Sequence, residues 1–197
     1  MLFHLLVNAE NISQLSSSGS EEWSSSKELK AQFVQRQNSN YLVITGSEGK
    51  VVAEHLIPRA KNLANITWSN DDRYLTYTEN DRSLWLLNIK ENAVMLVDQN
   101  FNSKTPQHFN VKWSPNDQWL QYLSSDDSRY MAKVYSLKRK RSYIVPIASG
   151  QISDIVWHDV DNELVINTDQ SKKVQTEILL YGIKLTVKSD EQIVQLN

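Results

Sequence analysis

Three potential metal ligands fall within four residues at His158-Asp159-Val160-Asp161. An imidazole and two carboxylates could begin a divalent-cation site, but such a site needs further ligands from other loops and an ordered outer shell. The plainer reading is a turn with an exposed His. His4, His55 and His108 are dispersed, lack metal-ligand spacing and read as ordinary surface or strand histidines. No metal or cofactor is expected.

The nucleophile chemistries fare no better. The chain has no Cys, which excludes a thiol nucleophile, a thiolate zinc site and a disulfide frame. No Gly-x-Ser-x-Gly elbow occurs, so a serine hydrolase is unsupported and no catalytic residue is assigned. Thr45-Gly46-Ser47-Glu48-Gly49-Lys50 suggests a phosphate loop, but its two Gly are three residues apart where that motif needs five, and Val51 stands where a Ser or Thr must follow the Lys. It reads as a hairpin turn between strands Tyr41 to Thr45 and Lys50 to Ile57. Lys138-Arg139-Lys140-Arg141 could meet a polyanion, yet 21 Lys+Arg against 23 Asp+Glu leave no overall attraction to nucleic acid. A solvated hairpin turn between outer strands suits that run better. Asn11-Ile12-Ser13 and Asn65-Ile66-Thr67 match the glycosylation sequon, but no secretory signal is read and Asn65 is expected to enter a buried strand. Leu2 to Val7, broken by His4 and without basic residues before it, fits neither a signal peptide nor a membrane span.

The strongest signal is a repeat. Trp23, Trp68, Trp113 and Trp157 lie 45, 45 and 44 residues apart. After each of the last three, an Asp follows at the fourth place and a Leu at the seventh. The first copy keeps Trp23-Ser24 and is one residue shorter to its Leu29. The Asp falls where a tight turn asks for positive φ, which Asp tolerates better than most side chains. Between the tryptophans the periodicity is two, and the runs are bounded by Asn, Asp, Ser and Lys. The second unit reads as strands Asn65 to Ser69, Tyr74 to Thr78, Ser83 to Ile89 and Ala93 to Asp98. The third reads as Asn110 to Ser114, Trp119 to Ser124, Met131 to Leu137 and Ser142 to Pro146. In the last, Glu177 to Thr186 is expected as third strand, Lys188 to Glu191 as turn and Gln192 to Leu196 as fourth.

Repeating units of four antiparallel strands are the blades of a β-propeller. The fold expected is all-β, a partial β-propeller of four four-stranded antiparallel blades at about 17–58, 59–103, 104–147 and 148–197. Residues 1–16 supply an N-terminal half-blade, with strands Leu2 to Val7 and Ile12 to Leu15. The tryptophans are expected as inter-blade anchors. Ser69, Ser114 and His158, each directly after its Trp, are the equivalent positions expected to face a channel mouth and bind there.

Trp68-Ser69-Asn70-Asp71-Asp72 with Tyr74-Leu75-Thr76-Tyr77, and Trp113-Ser114-Pro115-Asn116-Asp117 with Trp119-Leu120-Gln121-Tyr122, resemble the Trp-Ser-Pro-Asp-Gly…Leu-Ala-Tyr blade of TolB-like propellers. The turn Gly of that pattern is Asp here. The resemblance implies a non-catalytic binding or sensing module with a protein or small-ligand partner, and not an enzyme. Its layout is similar to the carboxy-terminal periplasmic propeller of CadC- and ToxR-type membrane-bound winged-helix regulators. The alternative is the accessory propeller of a prolyl-oligopeptidase-like hydrolase. No direct nucleic-acid contact and no membrane segment are expected, and the compartment is left open. An arc of blades leaves edges unpaired, so the chain is expected either to be the later part of a longer protein, the preferred reading, or to complete a ring as a homodimer.

Overall fold

The computed structural model describes residues 21–58, 60–100, 107–126, 129–145, 152–158, 163–168, 175–180 and 183–189. The expected half-blade at 1–16, Asp159, Asp161 and the expected strand Gln192 to Leu196 lie outside them. The described residues form four four-stranded sheets and contain no helix. The first sheet is β1 (Glu21–Trp23), β2 (Leu29–Arg36), β3 (Ser39–Gly46) and β4 (Val51–Ile57). The second is β5 (Leu63–Trp68), β6 (Tyr74–Glu79), β7 (Ser83–Asn88) and β8 (Ala93–Gln99). The third is β9 (Gln107–Trp113), β10 (Trp119–Asp126), β11 (Arg129–Ser136) and β12 (Arg141–Ile144). These three are antiparallel meanders, each strand beside its neighbour in sequence.

The fourth sheet corrects the expected strand layout. It is built from β13 (Ile152–His158), β14 (Glu163–Thr168), β15 (Gln175–Leu180) and β16 (Ile183–Ser189), in the order β13-β14-β16-β15. The run from Glu177 to Thr186 is therefore two strands, and β16 lies parallel to β14. The alternation Ile183, Leu185, Val187 accounts for its place: all three are buried against the third sheet, a position only a strand inside the sheet can supply.

Alternation along each strand gives every sheet two faces, and apolar faces meet at three seams. Ala31, Phe33, Leu42 and Ile44 of the first sheet pack on Ile66, Trp68, Leu75 and Tyr77 of the second. Leu84, Leu86 and Val97 pack on Val111, Trp113, Leu120 and Tyr122. Trp119, Leu123, Ala132 and Val134 pack on Ile155, Leu164, Ile166 and Leu185. The anchors are unequal. Trp68 and Trp113 are buried, Trp157 is half-buried, and Trp23 is 40% exposed.

Register also corrects the first repeat. Trp23 pairs with Lys30, as Trp68 pairs with Leu75, Trp113 with Leu120 and Trp157 with Leu164. Nothing is shortened: the seventh place after Trp23 holds Lys30 instead of Leu, and the Lys30 ammonium sits 5.7 Å from the Trp23 ring centroid. Asn65 and Asn110, each three residues before a Trp, take positive φ (57° and 52°), beside the irregularities in the pairing of β5 with β6 and of β9 with β10. That bulge turns Asn65 outward, against the expectation of burial, and its amide donates to Thr78 Oγ1 at 3.1 Å.

Candidate functional site

The turn after each Trp is built around the Ser. The Ser69 amide donates to the Tyr74 carbonyl at 2.9 Å, the Tyr74 amide returns a bond to Ser69 Oγ at 3.0 Å, and Ser69 Oγ donates to Asp71 Oδ1 at 2.8 Å. Ser114 repeats all three with Trp119 and Asn116, at 2.9, 3.0 and 2.8 Å. Lys27, Asp72 and Asp117 close these turns with φ of 66°, 59° and 53°, as the fourth-place reading requires. Ser69 and Ser114 are 0% exposed, so their hydroxyls are hubs inside the turn and do not face a channel mouth. His158 differs in both respects: it ends β13 and is exposed. Among the described residues no group of three or more His, Asp or Glu is placed to hold a metal ion.

The fourth-place Asp does more than turn the chain. Asp72 accepts the Ser25 and Ser26 amides of the preceding sheet at 2.8 and 3.2 Å. Asp117 accepts those of Asn70 and Asp71 at 2.8 and 2.9 Å. Each carboxylate thus clasps two N–H groups across a seam, while Ser25 Oγ and Asn70 Nδ2 reach back to the Ser69 and Ser114 carbonyls. The indoles add a second tie, from Trp68 Nε1 to the Glu22 carbonyl at 3.1 Å and from Trp113 Nε1 to the Thr67 carbonyl at 3.4 Å. Pro115 has no N–H to give, so the third turn cannot offer the same pair of donors. Trp157 Nε1 is buried without a partner. Burial raises the Asp117 carboxyl above its ordinary value, the charge of Asp71 adding to it against the opposing pull of the Asn70 and Asp71 amides.

A charged cluster lies on the second seam. Asp98 Oδ2, on β8, meets His108 Nε2 of β9 at 3.2 Å and Lys133 Nζ of β11 at 2.7 Å. The Tyr122 hydroxyl donates to Ser142 Oγ at 2.8 Å, which donates to the Val97 carbonyl at 2.9 Å. Burial alone would raise the Asp98 carboxyl, but the His108 and Lys133 bonds hold it at about 2. His108 is thus a buried side chain hydrogen-bonded to a carboxylate, not the ordinary strand histidine expected from its isolation in sequence. Its cross-strand partner Ser124 completes a Ser, His, Asp set in name only. Ser124 Oγ is fully buried and bonded to nothing, so no substrate carbonyl reaches it in this conformation. The cluster ties two sheets together.

A cleft of about 270 Å³ opens on the first seam, lined by His55, Leu56, Ile57, Pro58, Tyr77, Glu79, Trp85 and Val94. Aromatic and aliphatic walls surround one carboxylate, Glu79. Burial lowers His55 from its ordinary value, favouring the neutral imidazole, and burial followed by the charge of Glu79 pushes the Tyr77 phenol up. Sequence reading missed this cleft and the charged cluster, because each gathers residues from strands far apart in the chain.

Solved structures sharing this architecture include dipeptidyl peptidase 4 of Porphyromonas gingivalis, with a TM-score of 0.58 at 13% identity over 84% of this chain and 32% of that one. An oligogalacturonate lyase in complex with manganese gives 0.55 at 11% identity, over 78% of this chain and 47% of that one. A TolB from Agrobacterium tumefaciens, itself described as putative, gives 0.51 at 11% identity, over 80% and 57%. No family model matches the sequence, and no curated protein does. The chain spans between about a third and somewhat over half of these structures' lengths. At such identities the likeness establishes the fold, a partial β-propeller, and nothing of activity.

Proposed function

We propose that this propeller is a non-catalytic recognition module, and that the cleft on its first seam takes an apolar group carrying a positive charge or an N–H donor. The observation that carries the reading is the cleft's composition: aromatic and aliphatic walls around the single carboxylate of Glu79. Walls of this kind desolvate a ligand, and one carboxylate sets its orientation. Such a ligand is a small amine or a basic, partly apolar side chain of a partner protein. In this reading the module serves signal transduction as the sensing part of a longer bacterial regulator; the Trp-Ser turn resemblance supports the TolB-like blade, and similarity of layout alone suggests the CadC and ToxR type. The accessory-propeller reading draws on the same Trp-Ser-Pro-Asp resemblance, and the dipeptidyl peptidase likeness, at 13% identity, extends no further than the fold.

Titration of the full chain with phenethylamine, followed by the Trp85 indole resonance, tests this. Saturable millimolar shifts in the wild type that are lost in Glu79→Gln are expected. Wild-type resonances that stay still, or shifts that survive Glu79→Gln, would remove the cleft from consideration.

A further inference from the structure

The cleft on the first seam is bordered by more apolar surface than a small amine can cover. Register sets Tyr77, Trp85 and Leu96 side by side across β6, β7 and β8, on the face that meets the first sheet. Tyr77 and Trp85 line the cleft, and Leu96 at the end of the row is 43% exposed. On the opposite wall Leu56 of β4 lines the cleft and is 47% exposed. Two large aliphatic side chains in water thus flank one opening. Glu79 follows Tyr77 on the same face of β6, and among the described residues no cation is ion-paired with it. The Trp85 indole adds a further unmet group, since its N–H is buried and donates to nothing. A buried donor without an acceptor is costly, and an occupant that brings one recovers the loss.

We propose that the occupant is a segment of a partner protein in which an Arg stands among apolar residues. This rests on the recognition reading of the cleft and narrows its ligand. The guanidinium meets Glu79 with its plane against the Trp85 ring, and the flanking apolar side chains cover Leu56 and Leu96. Arg suits these walls better than Lys, because a guanidinium stacks on an indole and offers a carboxylate a fork of N–H donors, while an ammonium is a strongly hydrated point charge. A small amine leaves both leucines in water, whereas a segment reaches them at about 3.3 Å per extended residue. It also carries backbone carbonyls, the acceptors for the Trp85 N–H that a primary amine does not have. Aromatic and aliphatic area with an Arg at its centre is the makeup of the contact cores by which proteins recognise one another.

Titration of the full chain with the peptide acetyl-Leu-Ala-Arg-Ala-Leu-amide, beside phenethylamine, tests the proposal through the Trp85 indole resonance. In an extended peptide of this sequence both Leu share the face of the Arg. Binding at least about tenfold tighter than that of phenethylamine is expected, and none once Ala replaces the peptide's Arg. Leu96→Ser, at an exposed position outside the cleft lining, is expected to weaken the peptide at least about threefold and to leave phenethylamine unchanged. Phenethylamine that binds while the peptide binds no better, or a peptide indifferent to Leu96→Ser, overturns the segment and leaves the small-ligand reading in place. Resonances that stay still with both ligands overturn the two together.

Discussion

At the scale of single residues the repeat separates turn architecture from surface. Ser114 has no exposed atom and gives its hydroxyl to Asn116 while receiving the Trp119 amide. Ser114→Ala leaves that buried amide without its side-chain acceptor, and about 1–2 kcal/mol of stability is expected to go with it. His158→Ala, at the matching but exposed position, is expected to cost under about 0.5 kcal/mol. Urea unfolding of both variants checks the pair, and equal midpoints would contradict the hub role. The sequence placed both residues correctly in the repeat but could not show which way the turn folds its hydroxyl. Asp98, His108 and Lys133 were less legible still, because they stand on three strands and only the packing of the second sheet on the third joins them. Asp98 is held at about 2 against an ordinary 3.8. A depressed carboxyl contributes stability that is present above its unfolded pKa and lost as pH falls through its folded one. The stability difference between wild type and Asp98→Asn should therefore shrink by on the order of 2 kcal/mol between pH 4 and about pH 2. A difference constant across that window would mean that the Lys133 and His108 bonds do not set the charge.

At the scale of elements the tryptophan spacing made four sheets and their seams readable, because a large side chain at one register place must meet the neighbouring sheet. What the spacing hid was direction. Each Trp serves the seam before it, so Trp113 is enclosed between the second and third sheets while Trp23 looks outward. Trp113→Ala is expected to cost about 3–5 kcal/mol, and Trp23→Ala well under half of that. Denaturant midpoints decide it, and similar losses would mean that Trp23 is covered as fully as the rest. The split of Glu177 to Thr186 into β15 and β16 was not legible, because an apolar alternation fits any place within a sheet and does not reveal a crossover.

At the scale of the whole molecule the two end faces decide whether the arc closes on a copy of itself. The first two seams join largely apolar faces, and each is clasped by an Asp that receives two amides. The first sheet offers Lys30 and Gln32 to such a seam, and Lys27 in the place of the clasping Asp. The outward face of the fourth sheet carries exposed His158, Asp154 and Val156, with Glu163 bonded to Thr186 and ion-paired to Lys184 at 3.4 Å. Joining these faces would strip water from the Lys30–Glu21 and Lys184–Glu163 pairs, and burying charge in that manner costs several kcal/mol per ion. Two copies are therefore not expected to complete a ring, and light scattering on a sizing column should return 22.8 kDa across micromolar concentrations. A stable dimer that exchanges no subunits on dilution would mean that the charged faces find complementary groups on each other, and would move the search for a ligand from the first seam to the shared channel.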